Sequence, residues 1–372
     1  MAGIYIHIPF CFKRCDYCDF FKTTNISLKS DFLCILEKEI DKNREFIDNI
    51  TIDTIYLGGG TPSVLKIEEI KTILNSTLKN RDTGEIGYEI TFELNPDDGT
   101  QEYLNELRKT GVNRLSIGIQ SFDDRLLGLL NRRHNAGQAR RVVADARKAG
   151  FENISIDLMY GLPTMKMETW ERSIDEAIGL NVEHISAYHL TYEKGTVFNK
   201  KLERGIFNEI PEDESVEQFR VLIDKLKSAG YEHYEISNFS LPEKNSKHNS
   251  SYWSGSKYIG LGPSAHSFDG TKRYWNVSDM KRYLKGEFID KEEILTSADR
   301  YNEMVMLRLR TREGITEKEI NAIDEEYKDY FLKNVKKHIL AGDIDVREDR
   351  YHITGKGIFI SDYIISELFF YD

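Results

Sequence analysis

Cysteine is scarce in these 372 residues, four in all, and no apolar run approaches the ~20 residues needed to cross a bilayer. A disulfide-stapled secreted scaffold and a membrane-spanning helix are therefore not expected. Basic residues are also in deficit: 51 Lys and Arg against 62 Asp and Glu leave a net charge of −11. A broad phosphate-tracking surface does not follow from that balance, so nucleic acid is not an expected partner. The first ten residues, MAGIYIHIPF, lack the basic start and long apolar stretch of a secretion signal, which makes a cytoplasmic protein the expectation. A small basic or apolar patch would be hidden in the charge total, so peripheral membrane contact stays open. Low-complexity tracts are missing as well. What is present, 40% apolar and 11% aromatic residues, is globular, and the length suggests two domains or one large α/β domain with an appendage.

β-rich runs recur roughly every thirty residues, at 4–8, 54–58, 88–94, 114–119, 154–159 and 185–190. Between them lie helical spacings such as Phe32, Leu33, Leu36 and Ile40, or Ile67, Ile70, Ile73 and Leu74. Six βα units imply a parallel sheet, since each parallel return needs a crossover of a dozen or more residues. Periodicity alone fits both a partial barrel and a doubly wound sheet. After residue 190 the order changes to a loop at Gly195, a helix over 212–227 and a Tyr- and Trp-rich segment over 231–275 that reads as lid and pocket material. From about residue 294, helical patterns, a polar hairpin over 344–353 and a last helix read as a small domain of winged-helix type. The expected division is 1–235, 236–290 and 291–372.

Three of the cysteines, Cys11, Cys15 and Cys18, follow the first strand in a CxxxCxxC spacing. Clustered thiols in a large protein read as metal or redox ligands. Iron-sulfur clusters usually take four, so three thiolates would leave one iron open to a small ligand. A zinc site completed by His7 is the alternative, in a zinc-stabilised binding module. Cys34, within Phe32-Leu33-Cys34-Ile35-Leu36, is expected in the core as a small hydrophobe.

The run Tyr5-Ile-His-Ile-Pro-Phe-Cys11 with this spacing resembles the radical S-adenosylmethionine superfamily, and within it the oxygen-independent coproporphyrinogen oxidase group. The resemblance extends from Ile4 to about Trp275, with a weaker match in the tail. It favours an open (β/α)6 barrel. It implies a 4Fe-4S cluster on the three cysteines, and S-adenosylmethionine chelating the open iron through its amino and carboxylate groups. Tyr5, Tyr17, Gly59, Gly60, Thr61, Glu93, Gln120, Arg132 and Asp157 stand where that group contacts S-adenosylmethionine. Glu93, Gln120 and Asp157 also lie near strand carboxyl ends, where (β/α) barrels build their sites. Thr191 departs from the group, which carries a small apolar residue there.

The oxidases carry a further cysteine two positions after the third; this chain reads Cys18-Asp19-Phe20. They also have a long N-terminal extension, whereas the first strand here begins at Ile4. His248-Asn249-Ser250-Ser251-Tyr252-Trp253, an HNxxYW motif, resembles the signature of the heme-chaperone branch of the group. So do Cys18-Asp19-Phe20, Tyr234-Glu-Ile-Ser-Asn-Phe239 and Gly260-Leu-Gly-Pro-Ser-Ala-His266. The motif offers an imidazole for heme iron and flat aromatics for a macrocycle; read from its residues alone, it is also a buried aromatic corner. His7 and His266 are secondary candidates. The implied function is heme binding through His248, Asn249, Tyr252 and Trp253 and delivery to recipient apo-hemoproteins such as respiratory heme enzymes. The alternative is radical oxidative decarboxylation of coproporphyrinogen, so whether the chain is an enzyme is left open.

Overall fold

The computed structural model describes residues 2–49, 51–79 and 87–371. Six strands, β1 (Ala2–Ile8), β2 (Ile52–Gly59), β3 (Glu89–Leu94), β4 (Arg114–Gln120), β5 (Ile154–Tyr160) and β6 (His184–His189), pair in parallel in chain order. Their side chains alternate between two faces. One face carries Ile4, Ile6 and Ile8, then Ile55 and Leu57, Ile90 and Phe92, Leu115 and Ile117, Ile154 and Ile156, all essentially inaccessible to solvent. These lie under the crossover helices, and each fully buried aliphatic contributes ~1.5–3 kcal/mol. The other face carries Tyr56, Glu93, Arg114, Ser116, Ser155, Asp157 and Ser186, and it surrounds a cleft rather than a packed interior.

The sheet does not close. Its order extends past β1 to β9 (Lys257–Leu261), which runs parallel to β1 with Ile6 opposite Leu261, so seven parallel strands stand side by side instead of the six read from the sequence. Beyond β6 lie β8 (Asn238–Ser240) and β7 (Glu232–Glu235), both antiparallel. Beyond β9 come β10 (His266–Phe268), β11 (Lys272–Asn276) and β12 (Ile289–Ile294), an antiparallel arm. Much of the segment read as lid is thus sheet. Its strands are three to six residues long and rich in Tyr, Gly and charge, too short for a periodicity to show.

The arm is anchored by a buried carboxylate. Glu39 accepts from the Gly262 amide at 2.8 Å, the Asn276 amide at 2.6 Å and the Tyr283 hydroxyl at 2.6 Å. It sits on the inner face of the helix Lys29–Lys42 with Phe32, Leu36 and Ile40. Cys34 is on the outer face and exposed, which corrects the core placement: two residues past Phe32 the helix has turned about 200°.

The C-terminal unit has its own core, in which Tyr301, Val305, Ile320, Phe331, Val335 and Ile364 pack together. Helices Ser297–Leu309, Glu325–Leu340 and Ser361–Glu367 surround a three-stranded sheet ordered β13 (Ile315–Thr316), β15 (Arg350–Ile353), β14 (Ile344–Arg347), the helical, winged-helix-like arrangement. It meets the larger unit where the Arg312 amide bonds the Tyr234 carbonyl at 3.0 Å. No helix among the described residues is long and apolar enough to cross a membrane.

Candidate functional site

The loop after β1 is shaped before any ligand enters. Backbone bonds from Thr23 to Pro9 (2.7 Å) and from Cys11 to Thr23 (3.0 Å) close its base. Asn131, with φ of 61°, donates to the Arg14 carbonyl and to Asp16, each at 3.0 Å, and Lys201 holds the same Asp16 at 2.6 Å. The loop thereby presents Cys11, Cys15 and Cys18 to a cleft of about 490 Å³. The Thr61 hydroxyl and an Arg132 Nη lie 3.4 Å from the Cys11 and Cys15 sulfurs respectively, and Lys22 Nζ bonds the Cys18 carbonyl at 2.6 Å. Burial pushes the Cys11 and Cys18 thiols up, and these cationic and hydroxyl neighbours oppose it.

The zinc alternative is not formed. His7 Nε2 meets the Phe21 carbonyl at 2.8 Å and Nδ1 the Tyr5 hydroxyl at 3.1 Å, so neither ring nitrogen is available beside the thiols. Among the described residues no three His, Cys, Asp or Glu side chains converge on a point fit for one metal ion. Three sulfurs spread along the wall of a roomy cleft suit a polynuclear cluster instead, whose thiolates sit on separate irons.

Opposite the loop stands Glu93, whose Oε1 accepts from Tyr56 at 2.8 Å and Oε2 from the Gly59 amide at 3.0 Å. The Gly-rich turn serves this carboxylate directly. Gly59 has φ of 105°, and a Cβ on Gly58 would stand 2.7 Å from Glu93 Oε1. Burial, with Asp157 nearby, raises Glu93 to about 7. Asp157, bonded by Ser116 at 3.3 Å, is raised to about 6, again by burial. Two enclosed carboxylates poised near neutrality are ready to receive positive charge.

Arg132 follows the helix Asp124–Leu129, whose first turn Asp123 caps by accepting from the Leu126 amide at 3.0 Å. Its Nη2 bonds Asn95 at 2.7 Å and the Gly118 carbonyl at 2.5 Å, while its Nε is enclosed without a partner among the described residues. Gln120 ends β4 with φ of 68°, a left-handed conformation rare outside glycine and often stored at binding sites. Tyr17, Gly59, Gly60, Thr61, Glu93, Gln120, Arg132, Asp157 and Thr191 all line the cleft. Tyr5 is not on its wall; it supports His7 from behind and packs on Tyr56 at 6.0 Å.

The HNxxYW residues separate. They lie on the short helix Lys247–Trp253, held against the barrel by the Glu89 carboxylate, which accepts from the Lys247 and His248 amides. His248 is buried, its Nδ1 at 2.8 Å from the Thr54 hydroxyl and its Nε2 at 2.9 Å from the Tyr252 hydroxyl. Asn249 faces the cleft. Trp253 lines a second cavity of about 480 Å³ with Lys247, Arg308 and Arg312. His266 is exposed against Trp275, outside the cleft wall.

Sequence reading missed Asn95, Arg114, Ser116, Tyr188 and His189, which also line the cleft. For three of them the signal was available: Arg114 and Ser116 on β4, and Tyr188 with Ser186 on β6, are inward positions two residues apart that carry polar groups where a packed sheet would carry apolar ones.

Residues 5–177 match the Radical SAM superfamily and residues 295–360 the HemN C-terminal domain. The Heme chaperone HemW of Lactococcus lactis is 34% identical, over 98% of this chain and 96% of the relative. That of Bacillus subtilis is 37% identical, over 86% of each. The solved coproporphyrinogen III oxidase HemN of Escherichia coli superposes with a TM-score of 0.86, over all of this chain and 90% of that one, at 24% identity, which speaks for the fold alone.

Proposed function

The chain belongs to the HemW heme chaperone family of radical SAM proteins, and from that premise we propose that it binds heme and passes it to apo-hemoproteins, respiratory heme enzymes among them. In this reading Cys11, Cys15 and Cys18 hold a 4Fe-4S cluster, and S-adenosylmethionine occupies the adjoining cleft. When bound, the cluster supplies redox chemistry and an iron with an open coordination position.

The chain's own residues do the rest. Glu93 accepts from the amino group of S-adenosylmethionine, Arg132 pairs with its carboxylate, and Asp157 accepts from ribose hydroxyls. Such charge-assisted bonds are the stronger kind. The polar cleft keeps Tyr17 and Gln120 against the ligand and leaves the outer rim, where Phe20 is 63% exposed, open to a flat partner. Heme contact falls to the HNxxYW helix. Ligation by His248 requires the Tyr252 bond to open first, because both ring nitrogens are engaged in the resting fold.

The observation that carries the chaperone reading over the oxidase one is Phe20, which stands at the cleft mouth where the oxidases carry a fourth thiol. The test is a pair of anaerobic assays on the reconstituted chain, heme titration with transfer to an apo-hemoprotein and incubation with coproporphyrinogen and reductant. Stoichiometric heme uptake and release are expected. Sustained formation of the vinyl product would sink the reading.

A further inference from the structure

At the floor of the cleft a cation has been left over. Arg114, the first residue of β4, is 2% exposed, yet its guanidinium makes no hydrogen bond or ion pair among the described residues. Its Nε is fully enclosed, and its tip belongs to the cleft lining. Burying a charge without hydrogen-bonding partners is strongly unfavourable, and proteins ordinarily supply those partners. Asp157 tempers the charge through space without bonding to it. Asn249 lines the same cleft and follows His248, whose titration feels the Arg114 charge; its backbone amide bonds Ser246 at the start of its helix, while its side-chain amide has no partner among the described residues.

We propose that Arg114 and Asn249 form a carboxylate subsite at the barrel floor, separate from the residues assigned to S-adenosylmethionine. A carboxylate matches the planar fork of a guanidinium, and the Asn249 amide can donate to it as well. Two sources share that chemistry: a propionate of a bound tetrapyrrole, or a free small carboxylate. The propionate source rests on the heme reading; the subsite itself does not.

The full chain, reconstituted anaerobically with S-adenosylmethionine, is titrated with heme and with heme dimethyl ester by absorption. In parallel its melting temperature is followed with acetate at constant ionic strength. Heme is expected to bind at least about tenfold more tightly than the ester, since one charge-assisted pair is lost, and acetate is expected to raise the melting temperature. Arg114→Gln should abolish both effects. Acetate protection without discrimination between heme and ester assigns the site to a free carboxylate. Heme binding that ignores esterification, together with no response to acetate, overturns the subsite. Acetate protection in a protein that binds no heme at all counts against the heme reading and leaves the subsite standing. Should Arg114→Gln not fold, Asn249→Ala, which removes an amide with no partner among the described residues, should weaken both effects about threefold with an unchanged melting temperature in the absence of ligand; full effects in that variant overturn the assignment.

Discussion

The imidazole of His248 is held by the Thr54 hydroxyl at 2.8 Å, which ties the HNxxYW helix to the second barrel strand. Burial, helped by Arg114, lowers this histidine to about 3, so it is neutral and serves as a fixed strut between two hydroxyls. Tyr56 lies under it at 5.0 Å. Removing the ring should therefore cost about 2–4 kcal/mol through the cavity and two stranded hydroxyls. Denaturant unfolding of His248→Ala without heme measures this.

The Tyr252 hydroxyl competes with iron for His248. Tyr252→Phe keeps the ring against Tyr258 and deletes the bond. It should bind heme more tightly or faster, while His248→Ala should shift the heme absorption band. Unaltered spectra and affinities in both variants would confine His248 to its structural role.

Glu93 at about 7 and Asp157 at about 6 both lie above the ordinary carboxylate range. The folded protein keeps protons that the unfolded chain sheds, so their contribution to stability is present below about pH 4 and is lost as pH climbs through 6 and 7. Between pH 5 and pH 8 these two groups together take about 4 kcal/mol from the stability of the ligand-free chain, against the opposite contribution of buried neutral histidines such as His248. The Glu93 share, about 2.5 kcal/mol, is read as the difference between the pH profiles of the parent chain and of Glu93→Gln. Binding of S-adenosylmethionine should strengthen over the same rise, because an ionised Glu93 accepts from its ammonium; calorimetry at several pH values checks both.

Cys15 lies partly exposed on a loop outside the packed core. Cys15→Ala should abolish iron loading and change the stability of the cluster-free chain by less than about 1 kcal/mol. Iron analysis beside a melting curve separates these, and global unfolding of the variant would show that the cluster is structural.

Glu39 is 1% exposed and bonds three donors from the antiparallel arm. Burial raises its carboxyl, and those donors pull it back. Glu39→Ala leaves three enclosed donors without an acceptor and should cost about 3–5 kcal/mol. Hydrogen exchange should show the loss first at Gly262 and Asn276.

The amino-acid order alone determined the six parallel strands, because an apolar side chain at every second position and a helix-length gap between runs leave little else for them to do. It equally determined the cysteine loop, since three thiols in eight residues are a local fact. Packing at a distance decided the rest. The seventh parallel strand and its arm are short and polar, and they depend on Glu39, more than 200 residues upstream of its partners. The HNxxYW helix reads as one motif along the chain, but the helical turn sends His248 into the wall, Asn249 into the cleft and Trp253 to another cavity. Whether Arg114 would meet a carboxylate or an empty space depended on which side chains the neighbouring strands turned inward beside it, and no local pattern carries that information.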